Sequence, residues 1–160
     1  MPWQFYADVD DALSDWLKSL YTAYRNTLTP TSKLPLLTEI DWDAYWAGVN
    51  STSFQVYEEA TELGHLSLGM KSPELRGNQV VRVTHRWIGP GKPEYIKEMR
   101  EFVTRTIYEN VSPLPAALTN VGVIWMMPLQ SRIGPATNSA QEDFWTMELR
   151  VATKVLNTTI

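Results

Sequence analysis

Cysteine is absent from this 160-residue chain, which excludes disulfides, thiolate zinc sites and cysteine nucleophiles. Histidine is almost absent. The two present, His65 and His85, are too few for most metal sites without carboxylate help, and neither lies in an HxxH or HExxH spacing. No apolar run approaches the roughly 18 residues that a membrane-spanning helix needs. The N-terminus lacks a basic stretch leading into an apolar one, and Asp8, Asp10, Asp11 and Asp15 make it acidic. Neither a signal peptide nor a membrane segment is expected. A net charge of −4 provides no overall attraction to nucleic acid or to an anionic bilayer.

What is present is an ordinary folded composition with one excess. The chain is 44% hydrophobic and 20% charged, enough to bury a real core, and it reads most simply as one domain over 1–160. Seven tryptophans are many for this length. Aromatics bury large areas and are favoured in cores and at interfaces, so the excess fits a well-filled core or a protein that packs on copies of itself.

Hydrophobic spacing organises the chain. Val9, Leu13, Trp16, Leu17, Leu20, Tyr21, Tyr24 and Leu28 recur at helical intervals and predict an amphipathic helix from about Phe5 or Asp8 to Leu28. Its early aspartates suit the positive end of the helix dipole. Over 33–60 the pattern is weaker. Leu34 to Ile40 reads as a short edge strand limited by Pro35, Asp41 to Val49 has helix-like spacing, and Ser53 to Tyr57 alternates as a strand would. Leu63 to Met70 predicts a further strand, with Lys71 to Asn78 as a polar connector.

The clearest signal is a β–α–β–β order over 79–155. A strand from Gln79 to Ile88 points Val81, Val83, His85 and Trp87 one way and Arg82, Thr84 and Arg86 the other. It stops at Gly89-Pro90-Gly91. A helix from about Pro93 to Asn110 follows, with the stripe Ile96, Met99, Phe102, Val103 and Ile107. Next comes a strand from Val121 to Met127 whose inward row is Val121, Val123, Trp125 and Met127. A polar loop over 128–143, long for a hairpin, leads to a last strand from Phe144 to Val155 with Trp145, Met147, Leu149, Val151 and Val155 inward. The fold class is α+β: an antiparallel sheet with two long helices packed on one face, in α-β-β-α-β-β order.

Chemistry-bearing motifs are sparse. His85 shares a row with apolar residues and reads as a satisfied core histidine. Asp41, Asp43, Glu58, Glu59 and Glu62 could supply paired carboxylates, but local acid clusters are usually solvated faces and not opposed across a cleft. Trp42, Tyr45 and Trp46 could stack on sugar rings, against the plainer reading that they pack a connecting segment onto the core. Gly89-Pro90-Gly91-Lys92 lacks the GxxxxGK[ST] spacing of a phosphate-binding loop. Arg82, Arg86, Arg132 and Arg150 are basic, but their aromatic neighbours lie on the opposite strand face, a poor arrangement for stacking single-stranded nucleic acid. No catalytic residue, cofactor or metal is assigned.

The order of elements resembles the tail terminator (tail completion) proteins of long-tailed bacteriophages. The resemblance is carried by the leading helix, the Leu75-Arg76-Gly77 step into the strand ending at Ile88, and the Gly89-Pro90-Gly91 stop into one long helix. After these come a strand, an extended loop and a terminal strand opening on Phe144-Trp145. It is a likeness of pattern over about 63–155, without a diagnostic motif. It implies a structural virion protein, not an enzyme, forming a hexameric ring that caps the tail tube, stops its polymerisation and presents a head or neck attachment surface. The implied partners are copies of itself, the tail-tube protein, a head-completion or neck protein, and genomic DNA passing through the lumen without specific binding. The implied location is the tail or neck of the virion, and the host cytoplasm during assembly. Ring contacts need edges and loops that meet heterologously, which singles out Gln130, Arg132, Ile133, Asn138 and Gln141 on the 128–143 loop and Arg82, Arg86, Glu148 and Arg150 on the outward strand rows. The alternatives are another head–tail connector, a small carbohydrate- or ligand-binding module using Trp42, Tyr45 and Trp46, and an enzyme using His65 or His85 with Glu58 or Glu59.

Overall fold

The first regular segment that side-chain spacing dictates is helical. In the computed structural model, which describes residues 3–4, 9–42, 52–65, 75–87, 93–134, 144–154 and 156–157, helix α1 spans Val9–Asn26 with Asp10 and Asp11 in its first turn and Arg25 in its last. Those charges complement the helix dipole at both ends. The face carrying Val9, Leu13, Trp16, Leu17 and Tyr21 is buried, as the apolar period requires. Before it, the two-residue strand β1 (Trp3–Gln4) pairs antiparallel with β7 (Leu156–Asn157) near the other end of the chain.

After α1 the chain makes two single 3-10 turns, Thr31–Lys33 and Leu37–Glu39, where the sequence predicts a short strand over 34–40. Pro35 has no N–H to give a ladder, and Leu34 and Ile40 reach the core from the turns without one. Strand β2 (Asp41–Trp42) then runs parallel to the start of β3 (Ser53–His65). The helix-like spacing over 41–49 is therefore overruled at its first two residues; 43–49 lie outside the described residues.

β3 is one strand where the sequence suggests two pieces, 53–57 and 63–70. A bulge between Glu58 and Ala60 breaks the alternation there, and that irregularity is what divides the apolar pattern. Residues 66–70 lie outside the described set. β3 pairs antiparallel with β4 (Leu75–Arg86), which takes in the end of the expected connector. Helix α2 (Pro93–Glu109) and the short α3 (Ala116–Thr119) follow. Gly122, at φ 90°, makes the left-handed step that turns the chain into the next strand, a conformation cheap only for glycine.

That strand, β5 (Val123–Gly134), is the largest departure from expectation. Residues 128–134 continue the strand instead of opening the long loop. β5 pairs antiparallel with β6 (Phe144–Lys154), and residues 135–143 lie outside the described set. The five-stranded sheet has the order β2-β3-β4-β6-β5. It is antiparallel except for the two-residue β2–β3 pair, so the sheet is mixed and the class is α+β. The long elements run α1-β3-β4-α2-β5-β6.

One face of the sheet forms the core. Val81, Val83 and His85 of β4 and Trp145, Met147, Leu149 and Val151 of β6 are buried together with Ile96, Met99, Phe102, Val103 and Ile107 of α2 and the apolar face of α1. An aromatic cluster joins the helices to the sheet. Trp42 stacks on Phe54 with ring centroids 4.0 Å apart, and Tyr21 meets the edges of both Trp42 and Phe102. Edge-to-face geometry of this kind is worth about 1 kcal/mol per pair beyond the area buried. The polar tips are satisfied: Tyr21 Oη donates to the Pro35 carbonyl at 2.7 Å, and Trp42 Nε1 donates to Ser14 Oγ at 3.1 Å. Burial holds the Tyr21 hydroxyl well above its usual range.

Candidate functional site

Period-2 alternation puts successive β4 and β6 side chains on opposite faces, so the row that does not enter the core makes a second surface. On it Arg82 lies opposite Tyr57 in β3 and Glu148 in β6, and Glu148 lies opposite Gln130 in β5. Thr84 and Thr146 face each other one step along, with Arg132 beyond Thr146. Two polar rows thus cross the sheet from edge to edge.

Arg82 organises them. Its guanidinium donates to Glu148 Oε1 at 2.6 Å and to Glu59 Oε2 at 2.8 Å, and Nη1 reaches Thr146 Oγ1 at 3.3 Å. Partial burial works against the charge, but the hydrogen bond and charge of Glu59, assisted by Glu148, hold the guanidinium above its ordinary value. A shallow hollow of about 300 Å³ opens beside it, lined by Arg82, Gln130, Arg132, Thr146 and Glu148. The arrangement is a fixed, half-exposed polar lattice suited to holding a polar or charged side chain of a partner.

Four of the nine residues singled out from sequence, Arg82, Gln130, Arg132 and Glu148, line this hollow. Gln130, Arg132 and Ile133 stand on strand β5 and not on a loop. Arg86 is half-buried at the far end of the same β4 row, with Nε enclosed and without a hydrogen-bond partner. Arg150 is exposed on β6. Asn138 and Gln141 lie outside the described residues. Thr146 is not among the nine, and Glu59 stands in the sequence reading only as a candidate carboxylate and not as part of this surface. The opposite signs of the Glu58-Glu59 pair and Arg82 on neighbouring strands could have pointed to Glu59, had the β3–β4 pairing been read correctly.

The β5 edge carries a second feature. Val123 and Met126 are buried, while Ile124, Trp125, Met127 and Leu129 are each 41–43% exposed. Trp125 and Met127, expected inward, point away from the core. The register shift between Val123 and Trp125 is the cause: one extra residue moves the side chains that follow, as far as the second shift at Pro128 and Gln130, to the other face. On the helix side of this edge a hollow of about 460 Å³ is lined by Val111, Leu114, Val123 and Ile124 with neighbouring polar residues. The opposite edge, β3, is acidic, with Glu58 and Glu59 exposed. Partial burial, with the charge of Asp10 nearby, lifts the Glu58 carboxyl above the usual carboxylate value.

Other candidates for chemistry are placed plainly. His85 is fully buried, with Nδ1 3.0 Å from the Ser53 carbonyl. Donation to that carbonyl leaves Nε2 as the bare nitrogen, and Nε2 has no partner. Burial lowers its pKa to about 4, so the ring is neutral at pH 7. Trp42 is in the core under Phe54 and offers no face to a sugar; the side chain of His65, and residues Tyr45 and Trp46, lie outside what is described. Among the described residues no group of three His, Cys, Asp or Glu could hold a metal ion. No helix among the described residues is long and apolar enough to cross a membrane. No family model and no curated protein matches the chain.

Proposed function

We propose that this protein is a structural virion component of the tail-terminator kind, acting by self-assembly and shape complementarity and not by catalysis. In this reading copies close into a hexameric ring on the end of the tail tube, halt its growth and offer the head or neck a surface. DNA passes through the lumen without being bound. The observation that carries the reading is the division of the sheet into one face packed against two helices and one polar face that no other described element covers, between two chemically distinct edges. Such a body has surfaces for neighbours on several sides.

The test is a tube-capping assay. The chain, added to polymerising tail-tube subunits, is expected to shorten the tubes in proportion to its concentration and to appear as a ring at one tube end in negative stain. Tubes of unchanged length with bare ends would remove the terminator role. Binding to head-completion protein without any effect on tubes would move the assignment to another kind of neck connector.

A further inference from the structure

The four long strands of the sheet alternate in direction, so its outer strands β3 and β5 run antiparallel to each other. An even number of alternating strands has a consequence for assembly. A second copy in the same orientation, set beside the first, brings its β3 to the first copy's β5 as an antiparallel neighbour. The contact uses a different edge on each copy and repeats from copy to copy, which is the heterologous kind that can close into a ring.

Both edges are available among the described residues. β2 covers β3 only at Ser53 and Phe54, and β5 pairs with β6 alone. Their charges are of opposite sign, with Arg132 on β5 and Glu58 on β3. β5 carries the exposed band Ile124, Trp125, Met127 and Leu129, which is four of the seven exposed large hydrophobics described, and beyond it exposed Arg132. Concentrating most of that exposed apolar surface on one strand is not what a monomer's surface requires. β3 carries exposed Glu58, with Asp10 adding negative charge beside it, and exposed Glu59, which is already paired with Arg82 of its own copy.

β5 is also guarded. Pro128 removes one N–H, and bulges interrupt the strand before Trp125 and before Gln130. These devices stop an edge from pairing with any passing strand. Partner choice then falls to the side chains, with only short ladders between the interruptions.

We propose that the β5 edge, through Ile124, Trp125, Met127, Leu129 and Arg132, docks against the acidic β3 edge of a second copy of this chain. The interface rests on the assembly reading above and names the surfaces that would carry it.

Sedimentation velocity of the full chain over a wide concentration range tests it. The wild type is expected to associate with increasing concentration. Met127→Glu, which sets a charge against the acidic edge, and Trp125→Ser, both at exposed sites, should raise the dissociation constant about a hundredfold while leaving circular dichroism unchanged. Arg132→Glu and Glu58→Arg should each raise it about tenfold through like-charge contact, and the double variant should recover most of that loss. Three results would overturn the proposal: a wild type that stays monomeric throughout, association indifferent to Met127→Glu, or a double variant weaker than either single one. Tube capping that survives Met127→Glu would leave the tail reading intact while removing this interface. Association through β5 by a chain that never caps tubes would do the reverse.

Discussion

The two faces of the central sheet are built from the same strands yet obey different physics. On the helix-covered face, Val83, Met147 and Leu149 are buried in one cluster with Phe102 and Met99, with essentially no exposure, and stability comes from close packing. On the open face, one residue away along each strand, Arg82 holds Glu59 and Glu148 in side-chain environments that are 23–41% exposed. Charge pairs so placed contribute little to stability but orient side chains and discriminate between partners. Where a face is dry, nearly every atom matters to folding. Where it is wet, the same number of residues is free to be spent on recognition.

Phe102→Ala should break the contrast most strongly. It empties the contact between both helices and the sheet, removing edge contacts to Tyr21 and a tilted one to Tyr24, and should cost about 3–5 kcal/mol in urea unfolding. A loss below about 1 kcal/mol would mean that the covered face is not the packed core described.

His85 probes the same face by pH. Its folded pKa of about 4 lies below the unfolded value of 6.5, so the unfolded chain takes up the proton first. The stability in question is complete above pH 6.5 and is lost as pH falls toward 4, by roughly 3 kcal/mol. Unfolding free energies of the wild type and His85→Gln, measured from pH 7 to pH 4, should converge as pH falls. Parallel curves would place the histidine in water.

The open face should respond least. Arg82→Ala should change stability by about 1 kcal/mol or less, with a smaller loss in high salt. A loss comparable to that of Phe102→Ala would erase the distinction between the faces.

How much of this was legible in the chain depends on whether local spacing survived folding. The stripe Ile96, Met99, Phe102, Val103 and Ile107 and the row Trp145, Met147, Leu149 and Val151 are buried as their spacing implied, because an uninterrupted period allows only one face to be apolar. β3 and β5 were misread at bulges, at Glu58 and Ala60 in one and around Ile124 and Leu129 in the other. A bulge is set by pairing with another strand and leaves no local sign. The run Ile124-Trp125-Met126-Met127 is apolar throughout, so no alternation marks its buried side. Four of the five residues lining the polar hollow, all but Thr146, stand out in the sequence, but their meeting around Arg82 depends on strand order. The partner Glu59 depends on it too.

By itself, then, the sequence determined the class and the periods: two amphipathic helices, strands that alternate, no cysteine chemistry and no long apolar helix. Those properties follow from neighbours three, four or two residues apart along the chain. Tertiary structure alone decided that Trp42 packs under Phe54, that His85 stays neutral, that Trp125 and Met127 face outward, and that Arg82 lies between two carboxylates. Each of these depends on residues far apart in the chain or on strand register, and a one-residue shift of register exchanges the buried face for the exposed one.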